Sequence, residues 1–224
     1  SNTYAAWNWK AGGTAVSNTD GSITSQVSAN TDMGFSVVTW TQGAGNTSVG
    51  HGLGVRPSMI IGKTRTNGSF GWHVFHDALS NNGENQYLFL NLTNAATTSA
   101  GIWSTTDSSV FNASTGLFAA NETQVAYCFA NSDVIKVGSY TPNQSADGPF
   151  IYLGFRPAFF MAKNVSRTQE WVMHDNKRTA SYNPSNGTLY PNYSYAEGVG
   201  NEIDLLSNGV KLRNSGGSFR SEEH

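Results

Sequence analysis

The chain has 224 residues, a net charge of −2, and only 12% charged residues, about half the share of an ordinary soluble domain. No run of Lys or Arg exists, which excludes the electrostatic footprint of a nucleic-acid or anionic-membrane binder. The single cysteine, Cys128, excludes an intramolecular disulfide framework, and no apolar run reaches the ~20 residues of a membrane-spanning helix.

Taken in order, the chain opens with Thr3-Tyr4-Ala5-Ala6-Trp7-Asn8-Trp9, which has strand character and matches Thr123-Gln124-Val125-Ala126-Tyr127-Cys128-Phe129 in the placing of Thr, Ala and two aromatics. Residues 11–33 are rich in Gly, Ser and Thr and read as a linker, with weak alternation at Ile23, Ser25 and Val27 that allows a short edge strand. Period-two segments with turn chemistry between them then recur. They predict strands at Phe35–Thr41, Ser58–Lys63, Trp72–His76, Tyr87–Leu92, Val110–Phe111, Gly116–Phe118 and Val125–Ala130. A second series follows at Ile135–Thr141, Pro149–Leu153, Ala158–Lys163 and Glu170–His174. Nowhere do apolar residues keep a helical period for three turns, so the chain is expected to be all-β.

The segments repeat. Leu53-Gly54-Val55-Arg56-Pro57 returns as Leu153-Gly154-Phe155-Arg156-Pro157, and Trp40-Thr41 and Lys63 return as Tyr140-Thr141 and Lys163. Trp72 with His76-Asp77 is answered by Trp171 with His174-Asp175. A spacing near one hundred residues points to internal duplication into tandem domains. The expected architecture is two antiparallel, jelly-roll-like β-sandwich repeats. Residues 1–33 hold a closing-type strand and linker, 34–131 the first repeat and 132–224 the second. No apolar closing strand is read after Leu212, so residues 3–10 are expected to complete the second repeat, within a chain or between chains.

Each repeated motif has a structural and a functional reading. In Leu-Gly-x-Arg-Pro, Gly and Pro turn the chain between strands, and Arg56 and Arg156 either cap carbonyls there or recognise an anion. The turns at His76-Asp77 and His174-Asp175 offer groups for hydrolysis or metal binding. However, His73 and His76 face opposite sides of a strand, four convergent zinc ligands are not in view, and Asp suits a turn. No nucleophile elbow of Gly-x-Ser-x-Gly type and no Walker-type phosphate loop is present. The carboxylates Asp77, Asp107, Glu122, Asp175, Glu197, Glu202 and Asp204 form no pair that sequence alone can join. Cys128, inside an apolar run, reads as an inert core thiol. No metal and no cofactor is expected. Six Trp and nine Tyr in a neutral, Asn-rich chain suit stacking on sugar rings; Trp72 and Trp171 are the expected partly exposed aromatics, with core packing as the alternative.

The combination of Trp-Asn-Trp-Lys-Ala-Gly-Gly (7–13), Gly-Leu-Gly-x-x-Pro (52–57) before an apolar run and Lys63, Tyr-Leu-Phe-Leu-Asn-Leu (87–92), Val-Ala-Tyr-Cys-Phe-Ala (125–130) and Leu-Ser-Asn-Gly-Val-Lys-Leu-Arg-Asn (206–214) resembles a repeated domain of uncharacterised function. That domain occurs in tail-fibre and other structural proteins of marine bacteriophages, cyanophages among them. The resemblance implies a β-rich, extracellular virion module, commonly trimeric, with a receptor-binding or structural surface and no assigned catalytic residue. The leading expectation is therefore a module that binds a bacterial surface glycan or other receptor without chemistry. A glycan hydrolase using His76, Asp77, His174 and Asp175, and a purely structural virion domain, are the alternatives.

Overall fold

Runs in which β-branched and aromatic side chains alternate with polar ones can bury one face of a pleated ribbon and solvate the other, and most of these runs become strands. The computed structural model describes residues 4–143, 145–178 and 183–213, and among them every regular element is a β-strand. The chain divides into two units, one of Asn8–Leu90 and Ala96–Gly138, the other of the described residues within Ser1–Trp7, Asn91–Ala95 and Ser139–His224.

The first unit holds β1 (Val16–Asn18), β2 (Ser25–Asn30), β3 (Phe35–Thr41), β4 (Thr47–Gly50), β5 (Met59–Thr64), β6 (His73–His76), β7 (Gln86–Phe89), β8 (Thr97–Thr98), β9 (Val110–Ala113) and β10 (Thr123–Phe129). Eight of them form one antiparallel sheet in the order β1-β2-β3-β10-β5-β6-β7-β8, while β4 and β9 pair separately. In the sheet Val38 lies opposite Ala126, and Cys128 opposite both Ser36 and Ile60, so one face carries Val27, Val38, Trp40, Ile60, Phe75, Ala126 and Cys128. Val49, Phe111 and Ala113 of the β4–β9 pair share a core cluster with that face, as do Trp103, Leu117 and Phe118 from loops. This is sandwich packing. Trp40 meets Phe111 and Phe118 edge-on at 5.5 and 5.1 Å. Gly62 faces Phe118, where a Cβ would come within 2.6 Å of the ring.

The second unit holds β11 (Phe150–Tyr152), β12 (Phe159–Lys163), β13 (Trp171–Asp175), β14 (Ser185–Thr188), β15 (Gly198–Leu206) and β16 (Gly209–Leu212). A four-stranded antiparallel sheet runs β11-β16-β15-β14, and β12 pairs with β13. An isolated antiparallel bridge, Met173 to Leu189, ties β13 to the segment after β14. Val172, Ile203, Leu205, Val210 and Leu212 form the buried core, with Leu153, Phe160, Ala162 and Tyr190 packed against it.

Several expected elements differ. Residues 11–33 hold β1 and β2; the strand allowed at Ser25 and Val27 is β2, which lies between β1 and β3 rather than at an edge, and Val27 enters the core because its side chain falls on the buried face of the sheet. Tyr4–Lys10 form no strand. Instead the Trp7 ring packs on Phe159 at 5.7 Å, and Trp9 packs on Phe129 at 6.0 Å. Thr3, and the C-terminal segment from Asn214 onward, lie outside the described residues. Ile135–Thr141 is also not a strand. The Ser132 hydroxyl accepts from the Val134 and Ile135 amides, and the Asn131 side-chain Oδ1 accepts from the Val137 amide, so side chains take donors a ladder would use. Gly116–Phe118 is a turn, with the Leu117 and Phe118 amides both donating to the Ser114 carbonyl.

Candidate functional site

The two Leu-Gly-x-Arg-Pro corners place glycine where only it is at ease, with φ of +72° at Gly54 and +83° at Gly154. Leu53 is buried in the first core and Leu153 packs on the second. Arg56 donates from Nε to the Thr106 carbonyl and from Nη2 to the Asn82 carbonyl, both at 2.7 Å, and its guanidinium lies 5.2 Å from the Phe75 ring centre. Two of its five N–H donors go to loop carbonyls, which is the capping reading. Arg156 is exposed.

The His–Asp turns are not equivalent. In the β5–β6 pair Met59 lies opposite His76, and in the β12–β13 pair Phe159 lies opposite Asp175. The strand position of His76 is thus held by Asp175, not His174. His174 falls on the core face, completely buried, with Nδ1 3.3 Å from Ser185 Oγ and Nε2 3.4 Å from Thr188 Oγ1. Burial, with Arg178 adding to it and Asp175 opposing, lowers its pKa to about 4.

Asp175 is fully engaged. Oδ1 accepts from the Lys177 and Arg178 amides, and Oδ2 accepts from Arg178 Nε at 2.5 Å and Trp7 Nε1 at 3.1 Å. Burial raises its pKa, but the Arg178 hydrogen bond and the two amides together outweigh that and hold it below the usual carboxylate range. Arg178 also binds Glu197 at 2.9 Å and the Gly187 carbonyl at 3.0 Å. His76 accepts from the Ala78 amide through Nδ1. Burial lowers its pKa against the opposing effects of Asp77 and a bond to the Gly138 backbone. These are turn clamps, built as Asx-type and ion-paired loops are built.

The other histidines are structural as well. His73 is buried among Tyr87, Phe89 and Phe118, and burial, with Lys63 adding to it, takes its pKa down to about 4. His51 accepts from the Leu53 amide and bonds the Asp107 carbonyl. Asp107 caps the Ser109 and Val110 amides, Glu122 accepts from Thr66, and Asp204 binds Arg213 at 2.6 Å. Among the described residues no three His, Cys, Asp or Glu side chains gather where they could hold a metal.

Of the two tryptophans expected to be partly exposed, Trp72 is half-buried and lies nearly parallel to Tyr127, 6.5 Å away. Trp171 is buried, at 4% exposure, because β13 continues inward through Val172. Its burial matches the core-packing reading and not the partly exposed one.

Exposed aromatics gather elsewhere. In the Tyr190-Pro191-Asn192-Tyr193-Ser194-Tyr195 turn of the second unit, the Tyr193 and Tyr195 rings lie parallel, 4.4 Å apart and 6° between planes. They are 43% and 61% exposed. Tyr190 meets Tyr195 edge-on at 6.4 Å and packs against the core. Burial, and then Glu170, push the Tyr190 pKa up. The turn is pinned to β13, since Trp171 N donates to Asn192 Oδ1 at 3.0 Å and Leu189 and Met173 exchange two backbone bonds. Sequence reasoning missed this cluster; its signal was three tyrosines spaced by turn-forming residues within six positions.

A family described as a domain of unknown function, DUF7483, matches residues 1–222. The chain belongs to this family. No curated protein and no solved structure matches it. For this DUF7483 chain, function therefore rests on its own side chains.

Proposed function

We propose that this DUF7483 chain is a recognition module of a virion surface, tail-fibre-like, which binds a host-surface glycan or other receptor and performs no chemistry on it. The observation that carries the reading is the division of roles among side chains. The groups with chemical potential at the His–Asp turns are buried, ion-paired or hydrogen-bonded to their own loops, whereas stacked tyrosine rings face solvent. The neutral surface agrees with a binder of polyhydroxylated ligands, which are held by ring stacking and amide or hydroxyl bonds rather than by fields.

The reading includes tandem duplication and trimeric assembly. Registers support the first: β5 pairs with β6 as β12 pairs with β13, Met59 opposite His76 and, 100 residues on from Met59, Phe159 opposite Asp175. The test is incubation of the purified chain with bacterial surface polysaccharides, chromogenic glycosides and esters, with and without EDTA, and light scattering on the same sample. No turnover and a trimer mass are expected. Turnover that is lost with EDTA or in His76→Ala would overturn the reading.

A further inference from the structure

We infer that the Tyr193–Tyr195 stack is a saccharide platform, selective for neutral pyranose rings; this deepens the reading above and rests on it. A pyranose presents an apolar C–H face and a rim of hydroxyls, so its receptor needs a flat aromatic surface with polar edges. The outer face of a ring in the parallel pair supplies the flat surface, and each phenol carries a hydroxyl on its edge. A solvent-exposed aromatic pair is unusual cargo for a surface otherwise rich in Asn, Ser and Thr, and grouped exposed apolar area marks interaction sites.

The platform is ordered before any ligand arrives. Tyr190 roots it in the core cluster. The Tyr193 amide donates to the Tyr190 carbonyl at 3.2 Å, and Asn192 Oδ1 holds the Trp171 amide. Mutual stacking fixes the two rings against each other, so little rotamer freedom remains to be lost on binding.

Charge decides the sugar class. Glu170 acts on Tyr190, and Glu197, 42% exposed, follows Tyr195 by two residues with its carboxylate on Arg178. Lys163, which Glu170 influences, is half-buried and directs its ammonium to the Asn164 and Arg167 carbonyls. Uronic and sialic acids would bring a further negative charge towards Glu170 and Glu197, while neutral hexoses and N-acetylhexosamines would not.

The test is an array of neutral oligosaccharides printed beside uronic- and sialic-acid-containing ones, probed with the wild-type chain and with Tyr193→Ala, Tyr195→Ala, Tyr195→Phe and Trp72→Ala, each checked for an unchanged melting temperature. The expected result is binding to neutral spots, about tenfold weaker in each Tyr→Ala variant and largely kept in Tyr195→Phe and Trp72→Ala. Binding to neutral spots that is equal in the Tyr→Ala variants overturns the platform while leaving the recognition function standing. Binding confined to acidic spots overturns the selectivity. Binding to none overturns the platform and the recognition of glycans together.

Discussion

Two histidines buried in their neutral form make stability fall with acid, and the size of the effect follows from their positions. His73 and His174 titrate at about 4 in the folded chain against an ordinary 6.5, burial being the main cause in both. Between those values the unfolded chain binds a proton that the folded chain refuses, so acid favours unfolding. At about pH 5 the linkage amounts to roughly 2 kcal/mol for each histidine, and the full shift below the folded value to roughly 3 kcal/mol. His51 and His76, also lowered by burial, act in the same direction. Asp107 and Asp175, held below the usual carboxylate range, lose their contribution only at lower pH. The assay is urea unfolding from neutrality down to about pH 5 for the wild type, His73→Phe and His174→Gln. Phe suits the aromatic cage of His73, and Gln can keep bonds to Ser185 and Thr188. Each substitution should remove about 2 kcal/mol of the acid-induced loss. A wild-type stability that is flat over this range, or variants with the wild-type slope, would refute the reasoning.

Arg178→Ala should cost about 3 kcal/mol by urea midpoint, because it strands the buried Asp175 carboxylate and frees the Gly187 carbonyl; a loss under ~1 kcal/mol would show that Asp175 is held by its amides alone. Gly62→Ala should destabilise by about 1–3 kcal/mol, since the added methyl meets the Phe118 ring, which is fully buried and has little room to retreat. Cys128, buried and with its thiol pushed up to about 12, should resist a thiol-reactive dye in the folded chain and react after denaturation. Rapid labelling without unfolding would contradict that burial.

Strand positions were legible where one face is buried and the other is not. Phe35–Thr41 could be read to the residue because Val38 and Trp40 alternate with polar partners, and the Gly-Pro corners could be read because Gly54 and Gly154 need a left-handed backbone. Ile135–Thr141 misled because its alternation is as good, while the competing bonds from Ser132 and Asn131 carry no periodic mark. Exposed aromatic rings lie elsewhere than at Trp171. Trp171 and Tyr195 differ only in whether the neighbouring segment turns inward or outward, a tertiary matter. The stacking of Tyr193 on Tyr195 depends on the pinned turn at Asn192, and a hydrogen bond to a distant Trp171 amide leaves no local pattern. Likewise Ser185 and Thr188 gave no sign that they would enclose His174.

The most direct measurement of the central claim is titration of the wild-type chain with the neutral oligosaccharide it retains best on the array, with the same sample checked by mass spectrometry for cleavage. The account predicts saturable binding and an intact saccharide recovered in full. Cleaved product would contradict it by returning the His–Asp groups to catalysis, and the absence of any saturable binding would contradict it by removing the glycan.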